Sequence, residues 1–396
     1  VSDKLPAPAA AGGRLNYMIL ITTIIAAGLS QGLLLPVLSI LLEQKGVSSS
    51  LNGLNAAALY VGSFAMTLVA ERVLGAVGFK KLIAGGLSLV LVTLILFPLF
   101  PGIKAWFVLR LLVGIGDSAI NYAAQLWVLL MAPAEHRGRN ISLYGMSYGL
   151  GFSLGPLGLG LLRFGDAAPF ILTAVLFVLV LALVLFKLPD SHPDKVEHGE
   201  NQVRRFGRCY SLAWYALIPA LLYGYMEASL NSNFPVYGLR IGYSTDQIAA
   251  LLPFAGIGGL VLQLPLGIWS DRFGRKTILI MAGVGGGAAF SLLPLAGDHF
   301  ALTLVLLMIA GGLVGSFFSL GLSYAADILP RHLLPAANVV GSFHFSLGSI
   351  AGPGIGGLLL QFGWSGGVFA LMGGLYILFG LLGLLFSPLA TKNDIG

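Results

Sequence analysis

The stretch Leu109–Trp127, LRLLVGIGDSAINYAAQLW, lies inside an apolar run from Ala105 to Ala132 that is long enough to cross a bilayer. It nevertheless carries Arg110 and Asp117, with Asn121 and Gln125 beyond them. Asp117, Asn121 and Gln125 are spaced i, i+4, i+8, so a helix puts them on one face. Arg110 precedes Asp117 by seven residues, two turns along the same side. A charge at membrane depth costs about 3 kcal/mol or more unless it faces protein or water. This helix is therefore expected to line a polar interior, with the remaining segments packed around it.

The whole chain fits that reading. Its 396 residues are 57% hydrophobic and only 10% charged, and its mean hydropathy is +0.90. A soluble domain carries about 25% charged residues. The 55 glycines suit close helix contact in lipid. The single cysteine, Cys209, excludes an intrachain disulfide and a multi-cysteine metal site. The net charge of +6 comes from basic residues scattered over short loops, which points to membrane topology rather than to nucleic acid. The first apolar run is longer than a signal-peptide core.

Apolar segments of spanning length fall near residues 17–42, 52–74, 81–100, 105–131, 141–163 and 167–187. Residues 188–209, LPDSHPDKVEHGENQVRRFGRC, form the longest polar stretch and read as a linker. Six more segments follow near 211–239, 246–270, 277–297, 300–328, 335–361 and 365–388. The expected organisation is a six-helix bundle over 1–187, a cytoplasmic linker over 188–209 and a second bundle over 210–396. With the N-terminus inside, inner segments hold 17 Lys and Arg, and outer ones hold Lys45, Lys104, Arg163 and Arg240. That bias places both termini and the linker in the cytoplasm of a multi-pass protein of a cell membrane, read as a bacterial inner membrane.

The halves repeat. Pro133 and Pro330, Gly114 and Gly311, Gly155-Pro156 and Gly352-Pro353, and Gly160-Leu161-Leu162 and Gly357-Leu358-Leu359 are each separated by 197 positions. Two similar halves in one orientation imply an axis along the membrane normal and a cavity at their interface.

Residues 267–276, GIWSDRFGRK, lie on the loop between segments eight and nine. Gly267 allows close helix approach, Gly274 a tight turn, and Asp271 can face an arginine or a helix N-terminus. Arg272, Arg275 and Lys276 hold the loop inside. Here the chain resembles the major facilitator superfamily, whose signature between the second and third helices of a half is G-x-x-x-D-R-x-G-R-K. The first-half counterpart, LVAERVLGAVGFKK over residues 68–81, is degraded. Glu71 and Arg72 stand for the Asp-Arg pair, and three or four extra residues separate them from Gly78 and Lys80.

The run Arg110-Leu-Leu-Val-Gly114-Ile-Gly116 is similar to the family's fourth-helix motif, whose arginine is associated with proton coupling. Segment five, Gly151-Phe-Ser-Leu-Gly155-Pro156-Leu-Gly158-Leu-Gly160, resembles the motif of the family's exporters, with Leu159 in place of one glycine. Segment eleven matches its core fully from Gly348 through Gly352-Pro353 to Gly357. A glycine face permits tight contact, and proline frees a carbonyl, so Gly155, Pro156, Gly352 and Pro353 form expected pivots. The first helix departs from the drug-exporter pattern, because Gln31 stands upstream of Pro36 and no carboxylate is present there.

The resemblance implies an all-α membrane protein with twelve transmembrane helices in two pseudo-symmetric bundles. It implies a secondary transporter rather than an enzyme, exporting a small organic molecule by alternating access, with proton antiport. An uptake symporter and a lipid-type flippase share the fold, and a non-transporting membrane sensor lies outside transport. Asp117 and Glu227, the latter in YGYMEASLNSNFP, are the best intramembrane acids, with Arg110 beside the first. Candidate cavity residues are Gln31, Asn55, Asn121, Gln125, Trp127, Tyr148, Tyr223, Asn231, Gln263, Tyr324 and His344. Acids with polar aromatics favour a cationic or zwitterionic substrate. No Walker loop, nucleotide fingerprint, triad spacing or metal cluster is present, so no cofactor or bound metal is expected. The expected partners are a small molecule, protons and the bilayer, with the chain a monomer and no nucleic acid bound.

Overall fold

A computed structural model describes residues 10–131, 137–192 and 202–387. The described residues are helical and contain no strand. The first six spans are α1 (Ala10–Gln44), α2 (Ser49–Val77), α3 (Phe79–Leu99), α4 (Ile103–Met131), α5 (Arg137–Leu154) continued by a 3₁₀ segment (Gly155–Phe164), and α6 (Ala168–Lys187). The second six are α7 (Gln202–Arg240), α8 (Thr245–Phe273), α9 (Arg275–Leu292), α10 with α11 (Phe300–Val314 and Phe317–Ile328), α12 (Leu334–Gln361) and α13 (Gly367–Leu385). Residues 202–209 of the expected linker already belong to α7. Residues 193–201 of that linker, Lys4, Lys392 and Pro133 of the repeat lie outside the described residues, as do the side chains of Arg137, Arg139, Arg204, Arg205 and Arg331.

Nine spans of the described residues are long and apolar enough to cross a membrane on those grounds alone. The spans α4 and α7 carry the polar candidates: Asp117, Asn121 and Gln125 on the first, and Glu227, Asn231 and Asn233 on the second.

Local signals set the helix ends. Ser244 caps α8 by accepting from the Gln247 backbone N–H, while the Gln247 side chain accepts from the Ser244 N–H. The turn from α8 to α9 is a single residue, Gly274, at φ +91°. That left-handed conformation is one that glycine adopts without a Cβ clash. Gly78 makes the same one-residue turn from α2 to α3 at φ +83°.

The chain divides into two compact units. One comprises the described parts of Val1–Leu34 and Val61–Val196; the other comprises Leu35–Tyr60 and the described parts of Glu197–Gly396. In the first unit α3 packs on α4 and α6; in the second α7 packs on α12, α8 on α10, and α9 on α13. The repeat is visible in individual contacts. A Cβ added to Gly62 of α2 would strike the carbonyl of Leu111, and one added to Gly258 of α8 would strike that of Met308. In α5, Gly151 approaches the Ile25 backbone and Gly155 that of Gly32, while Gly28 and Gly32 of α1 approach Tyr148 and Phe152 in return. In α12, Gly348 and Gly352 approach Leu221 and Tyr225 of α7, and Gly224 of α7 approaches Phe345. Glycines let these backbones touch, which is how helices associate where lipid removes the hydrophobic drive.

Candidate functional site

Among the described residues each unit holds one buried acid, on α4 and on α7. In the first unit Arg110 is 1% exposed and Asp117 is 3% exposed. Both carboxylate oxygens of Asp117 are buried and accept no hydrogen bond. The Asn121 amide donates back to the Asp117 carbonyl at 3.0 Å. Tyr144 donates to the Asn121 carbonyl and side-chain oxygen, at 3.0 and 3.1 Å. Along this face burial falls away: Asp117 is buried, Asn121 half-buried and Gln125 exposed. The predicted polar face of α4 is therefore graded, with its charge at the closed end.

Gln31 of α1 and Tyr148 of α5 meet in the same unit, with the Tyr148 hydroxyl donating to Gln31 Oε1 at 2.5 Å. Tyr148 also stacks on Phe152. Trp127 takes a different place. It is buried and stacks on Phe79 of α3 at 5.1 Å, inside the helix packing.

In the second unit, Glu227 and Asn231 are buried on α7. Tyr223, one turn before Glu227, makes a side-chain hydrogen bond to it. The Asn231 amide donates to the Glu227 carbonyl at 2.9 Å, the arrangement seen at Asp117 and Asn121. Asn233 donates to Ser229 Oγ at 3.0 Å. Asn55 is fully buried, and neither atom of its amide has a hydrogen-bond partner. His344 is held at both ring nitrogens: Nδ1 lies 3.0 Å from the Leu217 carbonyl, and Nε2 meets the Tyr210 hydroxyl. Since a carbonyl only accepts, Nδ1 carries the proton and, in the neutral ring, Nε2 accepts from Tyr210. Tyr324 is buried edge-on to Tyr215 and Phe386. Gln263 is exposed.

The signature loop forms a charge cluster. Arg275 reaches Asp327 of α11 through Nε at 2.9 Å and Asp271, one turn before it, through Nη2 at 3.3 Å. Asp327 thus pairs with an arginine from another helix. Arg272, Glu71 and Arg72 are exposed. A Cβ on Gly267 would meet nothing within 4 Å among the described residues, so close helix approach is not what this glycine provides. The 3₁₀ segment starts at Gly155-Pro156, ending α5, whereas α12 runs through Gly352-Pro353 to Gln361.

Sequence reasoning passed over Gly28 and Gly32, which interlock with Gly151 and Gly155, and Arg240, which bonds three partners. The i, i+4 spacing of the two α1 glycines was the available signal for the first.

Comparisons with known proteins agree on the family. The Major Facilitator Superfamily profile matches residues 20–262 and 207–394. The chain is 40% identical over 351 residues to the MFS-type transporter YfkF of Bacillus subtilis, covering 88% of this chain and 89% of that one. It is 25% identical to Multidrug resistance protein 2 of the same organism, covering 87% and 88%. Among solved structures, the nucleoside transporter NupG aligns with a TM-score of 0.78 at 13% identity, over 93% of this chain and 99% of that one. A bacterial homologue of the lysosomal transporter Spinster aligns with a TM-score of 0.70 at 14% identity, over 94% and 95%. A twelve-span helical chain with this signature loop, matched along its length by the family profile and by YfkF, belongs to the major facilitator superfamily of membrane transporters.

Proposed function

We propose that this transporter exports a small organic cation, zwitterion or amphiphile in exchange for protons, by alternating access. The observation that carries this reading is Asp117, a buried acid whose two oxygens lack partners in the middle of a membrane helix. An unpartnered carboxylate in such a place costs far more charged than neutral. Its proton is therefore tied to which conformation admits water or a cationic group to the site. Glu227, held by Tyr223, is the second acid and the second candidate for a cation or proton. Among relatives, Multidrug resistance protein 2 bears on the export direction through its name alone. Both termini and the linker are assigned to the cytoplasmic side, and the working form to a monomer.

The test is flux in proteoliposomes with an imposed pH gradient, using a panel of organic cations, metallophores, amphiphilic lipids and sugars. The expected result is pH-driven movement of an organic cation or amphiphile. In Asp117→Asn that movement should fall at least about tenfold, while substrate exchange without a gradient persists. Full pH-driven flux in both Asp117→Asn and Glu227→Gln would remove these acids from the mechanism.

A further inference from the structure

We infer that α7 is hinged at Ala213, and that His344 of α12 is the positioning residue that latches the linker-side arm of α7, residues 202–212, onto the second unit. Within α7 one residue leaves helical geometry: Ala213 stands at φ −136°, ψ 27°. The break follows the polar run QVRRFGRC, residues 202–209, and precedes the apolar span. His344 bridges it. Nδ1–H donates at 3.0 Å to the carbonyl of Leu217, beyond the break, and Nε2 accepts from the hydroxyl of Tyr210, before it. One ring from a neighbouring helix thus holds both sides of the discontinuity. That ring stands edge-on to Tyr210, with centroids 5.3 Å apart.

The two sides are anchored differently. Beyond the break, Tyr215 is fully buried and lies flat on Phe379 of α13 at 4.4 Å. Trp214 stands edge-on to Phe386, and a Cβ on Gly321 of α11 would meet the Ala216 carbonyl and the Pro219 ring. Before the break, Gly207, Arg208, Tyr210 and Ser211 are exposed. Cys209 is buried, with Sγ 3.7 Å from the carbonyl of Leu333, just ahead of α12. A thiol is a weak donor, so the bonds at His344 are the stronger polar hold on the arm. Hinges are a few residues near element ends that absorb a φ/ψ change. An arm held by polar contacts can swing about Ala213 while the aromatic stack beyond it stays intact. In the chain the arm follows the linker, so its angle sets the direction in which the chain enters the second bundle. That role is independent of the substrate and of the coupling ion.

Cys209 is the chain's single cysteine and sits on the arm, so the native protein carries its own reporter. In purified full-length protein in detergent, N-ethylmaleimide should modify Cys209 slowly. His344→Leu, which removes both bonds, should raise that rate about tenfold, and Tyr210→Phe, which removes one, about threefold. The amide of His344→Gln can donate to Leu217 and accept from Tyr210, so this variant should return the rate towards the native one. The control is a second buried thiol, Ala282→Cys on α9 in a Cys209→Ser chain, whose rate His344→Leu should leave unchanged. Equal Cys209 rates in the native chain and all three variants would overturn the latch. So would His344→Gln reacting as fast as His344→Leu. An equal rise at Cys209 and at Ala282→Cys would also overturn it, reducing His344 to a packing residue.

Discussion

Asp117 and Trp127 show what a single residue's placement decides. Asp117 was expected on the polar face of α4 and Trp127 on the cavity wall, yet one is an orphaned acid and the other stacks on Phe79. Helix geometry explains the difference. At 100° per residue, Trp127 lies roughly 160° around the helix from Gln125, on the side facing α3. Trp127→Ala should therefore cost about 3 kcal/mol through the cavity it leaves, lowering the thermal midpoint in detergent. Gln263→Ala, at an exposed position, should change stability by no more than about 0.5 kcal/mol. Equal midpoints for the two variants would contradict this separation. The acids were readable in advance because a charge inside an apolar run is an energetic anomaly wherever it points. The tyrosines, Trp127 and His344 were not, because an amphipathic ring suits a cavity wall and a helix contact equally. His344 became interpretable only once Tyr210 and the Leu217 carbonyl were seen on its two nitrogens.

At the scale of helices, close backbone contact distinguishes one glycine from another. Gly348 of α12 lies against the Leu221 carbonyl, whereas Gly267 of α8 faces open space. Gly348→Leu should push α7 and α12 apart and cost at least about 2 kcal/mol. Gly267→Ala should stabilise α8 by roughly 0.5–1 kcal/mol, because alanine is the better helix former there. Thermal unfolding of the two variants should thus move in opposite directions, and a loss of stability in Gly267→Ala would return that glycine to a packing role. The signature loops teach a related lesson. Against the signature motif the first-half loop has three or four extra residues, but α2 and α8 each have 29 residues and each end in a one-residue glycine turn. Aligned on those turns, Gly75 takes the place of Asp271, and Glu71 lies one helical turn further back. A shift of four keeps the same helix face, so the charges moved along the helix while the turn stayed. Pattern matching could not separate an insertion from that displacement, since both leave the same spacing in the chain.

At the scale of the molecule, the internal repeat and the distribution of Lys and Arg were the strongest signals, and the repeat reappears as equivalent contacts at Gly62 and Gly258. The division into compact units followed from neither, because it depends on how the α1–α2 tip packs, and loop chemistry near Glu43 and Ser49 does not encode that. The charge distribution carries a prediction for the whole chain. Membrane insertion retains basic segments on the cytoplasmic side, and the helix ends flanking the α2–α3 and α8–α9 turns carry Lys80, Lys81, Arg272, Arg275 and Lys276. The turns on the opposite side carry single charges such as Lys45 and Arg163. In a Cys209→Ser chain, Asp166→Cys, exposed between the 3₁₀ segment and α6, should react with an impermeant maleimide on intact cells. His192→Cys, exposed beyond the other end of α6, should react only after permeabilisation. Since one helix of 20 residues separates the two positions, they must lie on opposite sides of the bilayer. The reverse pattern would invert the chain, placing the Arg275–Asp327 cluster outside and the Glu43–Arg240 pair inside, and would show that the basic loops do not govern its insertion.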